Sequence, residues 1–410
     1  MSYYILPKVT TPLLLECQQH THPPDPILSN SLRYHLHNVL CQFDLDTGSP
    51  ALEQCSQVIN PLEFVFSKVP SSKHAVSKLK PLSNVFYDLI EIAHTLNLLD
   101  MFTHRSMKTK HVSPHATSSV DCFYLMREYQ LDTHATLTRG QVAWQGCQGC
   151  VGRGMGEKAY CLLCGSKNDA DFFFFELEAD EYKDVNAYAR GLVQGCLLLL
   201  HNQAANGFAV IKIEEIYFKP VVDILYLLSH WYEKVFLFKP NTSNVGSSEK
   251  YLVCKKFMTF EKHRTRDPLA LLLDYQRQMR GVLGEMDAAA AATATATAEQ
   301  LHVHSLLQSE ILYYFHIKLE EYNLILGHQQ LTALDQLLHL MKNKNKEEKI
   351  ETLKKMHIQK CVSWCEKYKV PNHKFPNQAN LFLPQLPLIV IEKEEVDLGE
   401  LGEVTEELQG

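Results

Sequence analysis

The chain lacks any long apolar run and any excess of positive charge, and each lack removes a class of function. Its longest apolar stretch, Leu197 to Leu200 with its flanks, stops at His201-Asn202-Gln203, well short of the roughly 20 apolar residues a membrane-crossing helix needs. Pro7 falls early, and the first residues show no basic, apolar and small-residue succession of a secretory signal. These features predict a soluble, cytoplasmic chain with no membrane partner. Lysine and arginine number 40 against 47 acids, a formal charge of -7, which argues against coating nucleic acid by charge alone. Any RNA-facing surface has to be local. Lys255, Lys256, Lys262, His263, Arg264 and Arg266 form one basic run, for which a solvated surface is the simpler reading, and Glu392 to Glu407 belong to an acidic tail.

Glycine is also sparse, and six of the 18, Gly146, Gly149, Gly152, Gly154, Gly156 and Gly165, crowd around four cysteines. Those are Cys147-x-x-Cys150 and, after ten intervening residues, Cys161-x-x-Cys164. Two such pairs across a short loop have the sequence form of a four-thiolate site, each pair on a tight knuckle that glycine makes sterically accessible. The spacing predicts one structural zinc in a zinc ribbon at about 144–167, with no open position for catalysis. Gly152-Arg153-Gly154-Met155-Gly156 lies between the pairs with no strand before it, so it reads as the ribbon's turn rather than a nucleotide loop. The scattered cysteines, such as Cys17, Cys41, Cys55, Cys122, Cys196 and Cys254, read as buried thiols. His104, His111, His115 and His134 share no ligand spacing, and no metal is assigned to them.

The rest of the chain is organised around Gly207 to Phe257. Short runs rich in Val, Ile and Phe predict strands at 208–213, 234–239 and 251–257, buried on both sheet faces. Between the first two, Val221, Ile224, Leu225, Leu228 and Tyr232 form one stripe of a helix over 220–232. Strand, helix, strand and strand in that order close a doubly wound α/β sheet. A further strand is predicted at 172–175, with helices at 29–43, 83–99 and 185–200. The expected organisation is an N-terminal extension over 1–75, the main domain over 76–260, a helical connector over 261–286, and an Ala/Thr linker over 287–299. A tethered helical region over 300–371, with Leu331, Leu334, Leu337, Leu338 and Met341 as its apolar stripe, precedes a Pro-rich and acidic tail over 372–410.

Several strings resemble the FtsJ-type RNA 2′-O-methyltransferases, which include the cap-specific mRNA enzymes. They are Lys212 at a strand end, Lys239-Pro240 with Ser243, and Ser248-Glu249-Lys250-Tyr251. Ser77 to Ser83, Phe86 to Ile92 and Gln359 to Tyr368 resemble the same family as it occurs in large DNA viruses. The resemblance implies a Rossmann-like, S-adenosylmethionine-dependent methyltransferase fold acting on RNA, capped mRNA included, in viral mRNA processing in the cytoplasm, viral factory or virion. It implies a Lys, Asp, Lys, Glu tetrad around the ribose 2′-hydroxyl, in which neighbouring charges hold an amine near neutrality so that it can take the hydroxyl proton. Residue by residue, Lys212 stands at the second Lys, Glu249 at the Glu and Asp180 at the Asp. Asp88 occupies the place of the first Lys. The stretch matching the family's glycine turn for the cofactor is His115 to Phe123, in which every glycine is gone, so no cofactor-binding residue is assigned.

Two functions stay open on this reading. One is an RNA 2′-O-methyltransferase with weakened or lost transfer. The other is a non-catalytic subunit of the same fold that binds RNA, or a protein partner through its C-terminal helices. Asp88 and the missing glycines favour the second. Lys212 and Glu249 also have a plainer reading, a structural ion pair at the rim of the sheet.

Overall fold

The computed structural model describes residues 2–43, 50–70, 72–100, 106–114, 116–127, 131–137, 168–257, 268–294, 300–342 and 346–373. The four paired cysteines and their glycines therefore lie outside the described residues, as does the tail beyond 373.

Seven strands make one sheet: β1 (Ser2–Ile5), β3 (Met107–Val112), β4 (Leu131–Leu137), β5 (Ala170–Phe175), β6 (Gln203–Ile213), β7 (Tyr232–Lys239) and β8 (Lys250–Phe257). Their spatial order is β1-β7-β8-β6-β5-β3-β4. Strands β4, β3, β5 and β6 run parallel, and β8 lies antiparallel between β6 and β7. The fold is therefore mixed α/β and Rossmann-like, with the last strand inserted against the sheet's direction. The edge strand β1 pairs antiparallel with β7, so the first residues of the expected N-terminal extension belong to the sheet.

Helices close both faces, because the strands are apolar on both. Phe173, Phe175, Ala209, Ile211, Leu237 and Leu252 share a core with α6 (Val185–Asn202), α7 (Lys219–Trp231) and α8 (Pro268–Ala294). On the opposite face Phe172 packs against Phe123 of α5 (Ala116–Met126) and Phe208, at ring-centroid distances of 4.1 and 5.1 Å. Helix α4 (Val85–Thr95) also packs against α5.

The Ala/Thr stretch does not separate two packing units. Residues up to Ala294 continue α8. Beyond it, β9 (His302–Leu307) pairs with β2 (Leu15–His20) rather than forming helix, and Val303, Leu306, Leu307, Phe315 and Leu319 enter the same core as the sheet. The composition changes there, but the buried face continues. The apolar stripe of the expected helical region lies on α9 (Tyr313–Lys342). Its Leu334, Leu337 and Leu340 pack with Leu32 and Leu36 of α1 (Asn30–Leu40), Cys55 and Val58 of α2 (Pro50–Ile59), and Ile350 of α10 (Lys346–Lys367). Helices from early and late in the described chain thus join in one helical layer. Among the described residues no helix is long and apolar enough to cross a membrane.

Candidate functional site

In open α/β sheets ligands bind beyond the carboxyl ends of the parallel strands, and four chemically demanding side chains meet there. Glu176 directly follows β5, Lys212 is the penultimate residue of β6, and Glu249 precedes the antiparallel β8, so all three fall at one sheet edge. Tyr251 is the cross-strand partner of Lys212, and its hydroxyl donates to the carboxylate of Asp88 at 2.8 Å. Asp88 sits in the first turn of α4 and projects from that helix onto the same edge.

The contacts are close and largely dry. Lys212 Nζ lies 2.9 Å from Glu176 Oε1 and 3.4 Å from Glu249 Oε2, with side-chain exposures of 16%, 6% and 19% in that order. Ser113 Oγ donates to Glu176 Oε2 at 2.6 Å. Asn244 N donates to Glu249 Oε1 at 3.1 Å. Asp88 also accepts from the Thr242 hydroxyl. Three residues along α4, Glu91 accepts from the backbone and side-chain nitrogens of Asn241 and from Trp364 Nε1 at 3.2 Å. One helical turn therefore fixes the loop between β7 and β8 through two carboxylates.

Burial sets the electrostatics. At Lys212 it opposes the charged form, yet the adjacent Glu176 and Glu249 outweigh it and hold the ammonium above its usual range. At Glu249 burial favours the neutral acid, but Lys212 and Lys239 prevail and the carboxyl titrates below its ordinary value. Asp88 moves the other way, to about 7, because burial and the charge of Glu249 exceed what Thr242, Tyr251 and Lys212 supply. Three acids face two lysines here, and a buried net negative charge is relieved by one proton on Asp88. Burial likewise lowers Lys239 to about 8 and Lys250 to about 7. Lys239 donates to the carbonyls of Asn244, Ser247 and Glu249 at 2.8, 3.1 and 2.7 Å, so its three N–H groups are engaged in shaping the loop.

The structure brings Lys212, Glu249 and Asp88 together, and it places Asp180 elsewhere. Asp180 lies on a 3-10 turn over Ala179–Tyr182, is 88% exposed, and pairs with Lys183 at 2.6 Å. The turn folds Tyr182 back, so that its hydroxyl donates to the Lys212 carbonyl at 3.3 Å, and Asp180 projects outward. The acid at the β5 end is Glu176, which the sequence reading missed. Its signal was position, the first residue after Phe172 to Phe175, where the strand ends at the site.

The cofactor question turns on the connection from β3 to α5. Of the stretch compared with the family's glycine turn, His115 to Phe123, residues 116–123 are helical and His115 lies outside the described residues; the connection from β3 includes Ser113 and Pro114. Pro114 has no N–H to offer, and Ser113 is fully buried with its hydroxyl committed to Glu176. These residues do not fit a glycine cradle in which backbone approaches S-adenosylmethionine closely. Among the described residues no group of three metal-ligating side chains is set to hold a metal ion.

No protein-family model and no curated protein matches the chain. Among solved structures 43 chains match. One, from Plasmodium falciparum and provisionally described as a ribosomal RNA methyltransferase, is 13% identical, covers 43% of this chain and 97% of its own, and has a TM-score of 0.29. The likeness concerns the fold alone and carries no functional argument.

Proposed function

We propose that this chain is an RNA-binding protein on an RNA 2′-O-methyltransferase fold, and that it transfers methyl groups weakly or not at all on its own. The observation that carries the reading is the closed state of the ion cluster. Lys212, the residue that would act on a ribose hydroxyl, is clamped between Glu176 and Glu249 and held charged, so it has no free lone pair to accept a proton. Asp88 stands where a second cation is needed and is itself locked by Thr242 and Tyr251. The glycine-free turn at Ser113-Pro114 further disfavours close approach of a methyl donor. A positioned base is typically worth about 10² to 10⁴ in rate, so a site without one is expected to lose most of its turnover.

One observation favours the second reading, an active RNA 2′-O-methyltransferase whose substrates include capped mRNA. Lys239 is an amine brought to about 8 beside the cluster. Its N–H groups are occupied by loop carbonyls, which supports a positioning role instead. Calorimetric titration with S-adenosylmethionine separates the two. No saturable heat is expected up to about millimolar ligand, an affinity limit of roughly 4 kcal/mol; micromolar binding would restore the enzyme reading.

A further inference from the structure

Away from the ion cluster, a surface built from residues 66–70, 72–80 and 371–373 collects lysines that no carboxylate among the described residues pairs with. His74, Lys78 and Lys80 are exposed, and desolvation together with these three neighbours holds the His373 imidazole below its ordinary range. The rings of His74 and His373 stack at 4.7 Å with an interplanar angle of 21°. That stack is fixed from both sides: Val69 N bonds to the His74 carbonyl at 3.0 Å, His373 N to the Val76 carbonyl and Lys78 N to the Pro371 carbonyl, each at 2.8 Å. No ion pair joins Lys68, Lys73, Lys78 or Lys80 to a carboxylate among the described residues. Glu63, in the preceding helix, is already engaged by Asn60 and Ser67. In a chain of net charge -7, a basic patch unpaired among the described residues runs against the overall composition.

The same loop walls a cleft of about 680 Å³ whose lining includes Ser67, Lys68, Ser72, Phe66 and the buried Lys354, whose ammonium is paired with Glu351 at 2.9 Å. Phe66 is 39% exposed, an aromatic face available for stacking. Its ring meets Tyr87 edge-on at 6.3 Å, and Tyr87 is the neighbour of Asp88 on α4. The Tyr87 hydroxyl donates to the Leu79 carbonyl at 3.2 Å, which ties the basic segment to the helix carrying the ion cluster. Cations along a groove beside an exposed aromatic ring are the elements by which proteins hold single-stranded nucleic acid.

We infer that His74, Lys78, Lys80 and His373, with the adjoining Phe66 cleft, form a track for the backbone of single-stranded RNA leading to the Asp88 end of α4. The inference rests on the RNA-directed reading above and adds where the strand lies. It is tested by fluorescence anisotropy of a labelled single-stranded RNA of about 20 nucleotides, titrated with the full chain from about 50 to 200 mM salt. Two double variants are compared, Lys78→Gln with Lys80→Gln and, as a charge-matched control, Lys318→Gln with Lys342→Gln. Each lysine on a single strand contributes about 0.7 to the slope of log K against log salt. The first variant should lower that slope by about 1.4 and weaken binding at about 0.1 M salt by roughly tenfold, whereas the control should stay within about twofold. Wild-type binding with both variants equally affected or equally unaffected overturns the track and leaves the RNA reading standing. Absence of RNA binding by the wild type overturns both.

Discussion

Replacing Lys212 with methionine removes the cation and keeps most of the side-chain volume, so its effect isolates the ion cluster. Glu176 and Glu249, 6% and 19% exposed, would then face each other with Lys239 as the one cation of the cluster still acting on Glu249. Breaking a buried ion pair by deleting one partner costs about 3 to 5 kcal/mol. At about 2.1 cal/mol/K per residue over the roughly 370 residues of the folded unit, the unfolding entropy is about 0.8 kcal/mol/K, and Tm should fall by about 4 to 6 °C. The pH dependence carries a sign. In the wild type the raised pKa of Lys212 keeps its contribution present below about 10.4, and the depressed pKa of Glu249 keeps its own above about 4.3. Both are therefore flat between about pH 5 and 10. In the variant the bare carboxylates titrate higher, so the deficit should be largest near pH 8 and shrink toward pH 5. Thermal melts followed by near-ultraviolet circular dichroism at both pH values provide the assay. A loss under about 1 °C at pH 8 with no pH dependence would refute a cluster held together by charge.

Asp88→Asn mimics the protonated acid. The folded pKa of about 7 lies above the unfolded value, so wild-type stability should fall as pH rises from about 4 through 7. The variant should equal the wild type only below about pH 4, exceed it by about 1.5 kcal/mol near pH 5 and by roughly 4 kcal/mol at pH 8 in urea melts, and a variant less stable at pH 8 contradicts the assignment. Gly195→Ala would place a Cβ 2.5 Å from the buried Phe175 ring where α6 crosses β5, an overpacking expected to cost about 1 to 3 kcal/mol, and an unchanged urea midpoint would show that the ring gives way freely. Elemental analysis of the purified chain should find one zinc, lost in Cys161→Ser, as the spacing of Cys147, Cys150, Cys161 and Cys164 predicts; a metal-free folded protein removes that site.

The central strands were legible because burial on both faces makes them uninterrupted apolar runs, as in Phe208 to Ile213 and Tyr251 to Phe257. Strand β3 was not, since it reads Met-Lys-Thr-Lys-His-Val, and its buried Lys110 is balanced only in three dimensions, by Asp169 at 3.2 Å and Asn202 at 2.8 Å. With β3 unread, the turn after it could not be placed, and the helical residues 116–123 stood in for it. The site divides similarly. Lys212, Glu249 and Asp88 sit on elements whose ends the pattern fixes, whereas choosing between Glu176 and Asp180 required knowing that the 3-10 turn swings the latter into solvent. Leu334 and Leu337 looked like part of a separate helical region because their covering residues, Leu32, Leu36 and Val58, lie about 300 residues away in sequence. Periodicity reveals that a face is buried without revealing what covers it.

The most direct test of the account is methyl transfer from labelled S-adenosylmethionine to capped and uncapped RNA by the full chain, alongside Lys212→Ala. A site whose lysine is closed by Glu176 and Glu249, with Asp88 as the fourth member, predicts no turnover above background in either protein while RNA binding persists. Robust transfer by the wild type that Lys212→Ala abolishes would contradict it.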